Sequence, residues 1–266
     1  MGKSQSLYGG AVELEFHERL GRNTHCYTVG SEIKPSVTKI LGIIAKPWLV
    51  PWALNEYEAG LLLAFKPGVA YDELQLRKII AECKNIHKTK SRDAADLGTD
   101  THDWIEQHIK SQLNQDMPPD MPINETMQLT CQAFLNWEAR NKPQWLSSER
   151  YIYSANHQYV GTLDFEAIID GYLVVGDIKT SKAIYDEYWL QLAGYRMARN
   201  EELLFLNNRA PLIERTMIVR LGKVPTAAGL EFEVESHDES RLGDDTEAFV
   251  AALNLYNGLA KVSKGK

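Results

Sequence analysis

Apolar residues crowd two short runs rich in Ile, Val, Leu, Phe and Tyr: residues 162–169, where they alternate with polar ones as far as Glu166, and residues 172–178. That period is the mark of half-buried strands. Between the runs stands Asp170-Gly171, the dipeptide favoured in two-residue type I′ hairpin loops. With those two residues as the loop, Ile169 pairs with Tyr172, Asp164 falls opposite Asp177, and Thr162 falls opposite Lys179. The two-residue repeat of a strand then puts Asp164, Asp177 and Lys179 on one face and Ile178 on the other.

The rest of the pattern surrounds this hairpin. Val12, Leu14 and Phe16 alternate, and Cys26 to Val29 follows a polar turn, which predicts a short hairpin over residues 11–30. Helices are predicted over 37–44, with Ser36 as N-cap, and over 52–64, 71–87, 91–113 and 124–140. Residues 145–154 read as a strand that joins the central hairpin in a meander, and 184–199 as the helix that follows it. A strand pair over 213–221 and 229–235 and an amphipathic helix over 244–262 close the chain. Helices, a β-meander, a helix, strands and a last helix make an α/β (α+β) class with a mixed sheet flanked by helices. A single domain is expected over 1–266, mainly helical in 1–145 and sheet-containing in 146–266.

Composition changes this picture little. At 266 residues the chain can form one sizeable core, and no apolar run approaches the length of a transmembrane helix. A secretory h-region is missing at the start, so no membrane partner is expected and a reducing cytoplasm is the default compartment. Cys26, Cys83 and Cys131 lie far apart and suggest neither a disulfide framework nor a CxxC metal site. The formal net charge of −7 disfavours tight duplex binding through a broad basic face. The densest positive run, Lys84, His87, Lys88, Lys90 and Arg92, reads as a phosphate track or equally as a solvated turn between helices.

Chemistry enters through the hairpin. Two carboxylates opposed across a ladder repel, and a hard divalent cation between them removes the conflict. Mg²⁺ or Mn²⁺ suits such oxygen ligands, and Lys179 places a cation beside the reacting phosphate or water. Neither a Walker A loop, a GxSxG elbow, an HExxH pair nor a GxGxxG after a strand occurs.

Gly161-Thr-Leu-Asp164, Asp177-Ile-Lys179-Thr and Gln191-Leu-Ala-Gly-Tyr195 resemble the signature of PD-(D/E)XK nucleases, within them the RecB-like exonuclease branch of phage recombination and mitochondrial DNA maintenance. Leu163 stands where the eponymous proline would be, and the second acid is Asp. The likeness is strong over 149–195 and weaker around His102.

The resemblance implies the αβββαβ restriction-endonuclease-like core and a metal-dependent deoxyribonuclease, exonuclease before endonuclease. It implies a metal held by Asp164, Asp177 and the Ile178 carbonyl, with His102 of Gly98-Thr-Asp-Thr-His102 as a further ligand. A helical His is also commonly an ordinary hydrogen-bonded residue, and Glu106, four residues on, an ordinary surface acid. Glu149 is implied to support the metal's water shell, though a capping role fits as well. Gln191 and Tyr195, with Tyr188 in the same helical stripe, are implied to orient the nucleic acid or Lys179; as residues alone they read as core. DNA ends are the implied partner, with a recombination or single-strand-binding protein beside them. A non-catalytic nucleic-acid-binding or assembly subunit with the same fold is the alternative.

Overall fold

The computed structural model describes residues 3–21, 23–207, 209–226 and 229–264. The chain divides into two compact units, Met1–Ile43 with Thr101–Lys266, and Ile44–Asp100.

The first unit contains two sheets. Strands β1 (Lys3–Leu7), β2 (Val12–Leu20), β3 (Asn23–Val29) and β4 (Glu32–Lys34) form an antiparallel sheet in chain order. The expected hairpin over 11–30 is its middle pair. The outer strands were not expected, because Lys3-Ser-Gln-Ser-Leu7 and Glu32-Ile-Lys34 carry too few apolar residues to register a period. β1 forms because Leu7 buries beside Leu14 of β2 against Tyr151, Tyr153 and Val160, and β4 is held by its pairing with β3. Helix α1 (Val37–Leu41) follows, and its N-cap Ser36 accepts the backbone N–H of Lys39 at 3.1 Å.

The second sheet holds β5 (Gln144–Ser154), β6 (Tyr159–Ile169), β7 (Tyr172–Lys179), β8 (Arg215–Thr226) and β9 (Gly229–His237), in that order. All neighbours are antiparallel except β7 and β8, which run parallel. Their crossover is helix α6 (Asp186–Leu206), so this is the mixed, helix-flanked sheet that the hydrophobic pattern predicts. The β6–β7 turn has both central residues at positive φ, Asp170 at 51° and Gly171 at 82°, as a type I′ loop requires. Pairing runs from Ile169↔Tyr172 to Phe165↔Gly176 in the predicted register.

Each face of this sheet is covered by helix. On one side, α5 (Glu125–Asn141) brings Phe134 and Trp137, both fully buried, against Phe165, Val174 and Ile178. Each such aromatic contributes about 3 kcal/mol of burial. Gly176 makes room here, since a Cβ would lie 1.8 Å from the Phe165 ring. On the other side lie α6 and α7 (Glu239–Lys264), and Phe249 of α7 fits over Gly194 of α6. Helix α6 is also tied down by charge. Arg150 Nη2 donates to both Glu202 oxygens at 3.0 and 2.9 Å, while Arg199 donates to Glu202 at 2.8 Å and to Glu166 at 3.0 Å.

The second unit contains α2 (Leu49–Ala64), α3 (Glu73–Cys83) and the first turns of α4 (Ile86–Asn114). A capping box between Asp72 and Gln75 starts α3. Gly60 of α2 admits the Ile86 side chain, whose Cδ1 would be 2.2 Å from a Cβ there. Of the basic run from Lys84 to Arg92 only Lys84 and Asn85 form the inter-helix turn, because α4 already begins at Ile86. Its residues favour helix, and Lys90 pairs with Glu56 of α2. Among the described residues no helix is long and apolar enough to cross a membrane.

Candidate metal centre and its lysine

Three adjacent strands carry an acid at the same level of the sheet. The β5–β6 ladder runs through Ser148↔Phe165 and resumes at Arg150↔Leu163, which leaves Glu149 and Asp164 facing each other outside the pairing. Glu149 adopts φ 49°, a left-handed backbone that is costly for a residue with a Cβ. On the other side of β6 the ladder to β7 stops at Phe165↔Gly176, one step short of Asp164 and Asp177. There the Asp164 carboxylate takes over from the backbone: its Oδ2 accepts the Ile178 N–H at 2.7 Å. The predicted facing of Asp164 and Asp177 is thus reached at the frayed end of the ladder, with a side chain filling one backbone bond.

Helix α4 delivers His102 to this spot. Its Nδ1 lies 3.4 Å from Asp164 Oδ2. His102, Glu149 and Asp164 each offer a ligand atom, all within 4.8 Å of one another, so the three form a group that can hold a metal ion. Expectation and structure differ in the membership. The sequence assigns Asp164, Asp177 and Ile178 with His102, whereas the structure gathers His102, Glu149 and Asp164. The Asp177 carboxylate is engaged with Lys179 and Gln191, and the Ile178 N–H, on the same residue whose carbonyl is the expected ligand, is bonded to Asp164. The left-handed turn at Glu149, which sequence reading has no means to see, brings that carboxylate in.

Asp177 is 1% exposed. Its Oδ2 lies 2.5 Å from Lys179 Nζ, off the ideal hydrogen-bonding direction, and its Oδ1 accepts Gln191 Nε2 at 3.2 Å. Burial pushes the Asp177 carboxyl up to about 6; Lys179 opposes that rise and the Asp164 charge adds to it. The ammonium of Lys179 is penalised by burial, yet Asp177 and Asp164 outweigh this and hold it above its ordinary value. Tyr188 covers it, with Nζ 4.8 Å from the ring centroid. Burial likewise lifts Glu149 to about 8, with Asp164 and Glu106 adding to the rise and Lys110 and Lys3 resisting it.

The α6 stripe reaches this pair. Gln191 Nε2 also donates to Tyr195 Oη at 2.9 Å, and Lys179 Nζ stands 3.5 Å from Gln191 Oε1. Burial raises the Tyr195 phenol well above its ordinary range, so it stays neutral. Gly161 lets Tyr195 come this close, since a Cβ there would sit 2.6 Å from its Cε1. Glu106, in contrast, turns to Lys110 one helical turn on and lines a neighbouring cavity of about 340 Å³ with Lys3, Ser148 and Glu149. Sequence reading passed over Lys3, Lys110 and Tyr27, whose hydroxyl bonds Thr162 Oγ1 at 2.8 Å, because nothing local sets them apart.

No family model matches the chain, and no curated protein matches it. Among solved structures, LHK-Exo in complex with dAMP aligns with a TM-score of 0.28 at 14% identity, over 62% of this chain and 86% of that one. The alkaline exonuclease LHK-Exo from Laribacter hongkongensis aligns with a TM-score of 0.26 at 9% identity, over 61% of this chain and 84% of that one. TM-scores this low leave the functional reading to the geometry of the site.

Proposed function

We propose that the chain is a divalent-metal-dependent deoxyribonuclease that hydrolyses phosphodiester bonds at DNA ends. The observation that supports it best is the His102, Glu149 and Asp164 group beside the buried Asp177–Lys179 pair. The donor set fits a hard or borderline cation: two carboxylates and one imidazole. Burial first, and the Asp164 charge after it, raise the proton affinity of Glu149 and Asp177, and a bound cation would relieve both effects. A bound Mg²⁺ or Mn²⁺ would supply a polarised phosphoryl oxygen and an acidified water.

The chain's own residues do the rest. Asp164, Glu149 and His102 would hold the cation, and Asp177 completes the acidic wall beside their group. Ionised Asp177 keeps Lys179 charged and fixed. Lys179 then offsets the negative charge that develops on the phosphoryl oxygens and steadies the attacking water. Gln191 restrains both partners at once, donating to Asp177 and facing Lys179. Tyr195 anchors Gln191 from below as a neutral hydrogen-bond acceptor. End-directed cleavage rests on the resemblance to the RecB-like branch.

Labelled linear and closed circular DNA, incubated with Mg²⁺ or Mn²⁺ and with or without EDTA, tests the reading. Loss of the linear form alone, abolished by chelator, is the expected result. Intact linear DNA under all conditions would leave only a binding role.

A further inference from the structure

Four rings run in file from the acidic group out to solvent. Tyr151 of β5 meets Tyr27 of β3 at 5.8 Å between centroids, Tyr27 meets Phe16 of β2 at 5.1 Å, and Phe16 meets His25 of β3 at 6.1 Å. Their exposure grows along the file: Tyr151 is buried, Tyr27 and Phe16 are half-buried, and His25 is exposed. At the inner end the Tyr27 hydroxyl bonds Thr162, two residues before Asp164.

Strand pairing explains the overhang. Lys3 pairs with Phe16 and Phe16 with Tyr27, so the three stand in one row across the N-terminal sheet. Residues further along the same face are consumed in packing: Leu7 and Leu14 are buried, and Gln5 accepts the Tyr151 N–H at 2.8 Å. The row of Lys3, Phe16 and Tyr27 lies at the rim of that core, where Phe16 and Tyr27 pack against it and stay half-buried. His25 reinforces it at a cost. The β2–β3 ladder runs from His17↔Cys26 to Arg19↔Thr24 without pairing at His25, whose φ of 48° is strained for a residue with a Cβ. Tyr27 and Phe16 thus serve the core on one side and stay half-exposed on the other, and the file ends in the exposed His25 on its strained backbone.

We infer that this projecting edge of the N-terminal sheet is a stacking platform for unpaired nucleobases, which makes single-stranded DNA the substrate class. The inference rests on the nuclease reading for what happens next to the platform, not for the stacking itself. Bases in a duplex are already stacked on each other and offer no free face, whereas an unpaired base lies on an aromatic ring irrespective of its identity. Phosphates have a local cation to meet in Lys3, which lines the cavity beside Glu149; Lys110 lines it too but is paired with Glu106. A net charge of −7 disfavours a broad duplex-tracking face, which leaves stacking and local lysine contacts to supply affinity.

The experiment reads binding apart from cleavage. A short oligonucleotide carrying 2-aminopurine is titrated with the full chain in EDTA, alone and annealed to its complement. The variant Phe16→Leu/His25→Gly keeps an apolar side chain on the core and places glycine where φ is positive, so it folds as the wild type does. The expected result is quenched 2-aminopurine and tight binding for the wild type on the single strand. In the variant the quench disappears and affinity falls by roughly tenfold or more. With metal, the variant's KM for single strands rises and its kcat stays near wild type. Equal single-strand affinity in variant and wild type, or a wild type that ignores single strands, overturns the platform. A wild type that stacks DNA but never cleaves it overturns the nuclease reading alone.

Discussion

Asp177 and Lys179 illustrate how two residues define each other's chemistry. The carboxyl is buried enough to favour its proton, and the ammonium beside it favours the ionised form. Lys179→Ala removes that opposition, so Asp177 takes up a proton rather than stand as a lone buried charge, and the fold survives. Cleavage by Lys179→Ala and by Asp177→Asn is expected to fall by about 10²–10³ or more. Single-turnover rates on linear DNA check this, with thermal melting as the control for folding. Folded variants with wild-type rates would move the active site away from the hairpin.

His102 makes a separate claim at the same scale. Imidazole nitrogen suits Mn²⁺ better than Mg²⁺, which prefers oxygen and retains its waters. His102→Ala is therefore expected to raise the Mn²⁺ concentration for half-maximal rate more than the Mg²⁺ concentration. Equal shifts for the two ions would reduce His102 to the neighbour of Asp164 that its 3.4 Å contact describes.

Among elements, the contact between β6 and α6 controls the site. Gly161 lies under Tyr195, and Tyr195 fixes Gln191. In Gly161→Ala the new methyl group meets the Tyr195 ring on one side and Ile152 Cδ1, 3.2 Å away, on another. A stability loss of about 1–3 kcal/mol is expected. A rate loss should accompany it, because the Tyr195–Gln191–Lys179 chain shifts. Denaturant unfolding and kcat measured together test this; a destabilised variant with unchanged kcat would mean that Gln191 does not depend on Tyr195.

This element also shows what was legible in the sequence. The Asp-Gly loop between two apolar runs defines the hairpin register down to Phe165↔Gly176, because the two-residue turn leaves a single pairing. The Gln191 and Tyr195 spacing gave a shared helical face. What could not be read depends on departures from regularity. Glu149 and Asp164 drop out of the ladder, and the turn at Glu149 is a local backbone state rather than a residue pattern. Strands β1 and β4 were equally hidden, since Leu7 is the single buried residue of β1 and pairing with β2 holds the rest.

At the scale of the molecule, the acidic group links folding to pH and to cations. Glu149 and Asp177 hold protons more tightly in the folded chain, to about 8 and about 6, than their ordinary values of 4.5 and 3.8. For a carboxyl raised by folding, the stabilisation is complete below the unfolded value and is lost as pH climbs through the folded one. In EDTA, stability is therefore expected to fall between about pH 4 and pH 8, by roughly 1.4 kcal/mol per pH unit for each group in transit. The acids that are paired with arginine work in the opposite sense. Burial raises Glu202, but Arg150 and its hydrogen bonds overcome this and hold the group below its ordinary value. Its contribution is present at neutral pH and is lost only as pH falls through that lowered value. On the proposed metal reading a divalent cation would bind the ionised cluster and not the protonated one, so adding Mn²⁺ should flatten or invert the alkaline decline. The Asp164→Asn variant separates this from a general charge effect. Asparagine can still accept the Ile178 N–H through its carbonyl oxygen, and it removes the charge that pushes Glu149 and Asp177 upward. In EDTA at pH 8 it should melt at or above the wild type, whereas in Mn²⁺ it should melt below. Melting curves for both proteins in both conditions decide the matter, and a wild type indifferent to Mn²⁺ across this range would rule out a cation held by these acids.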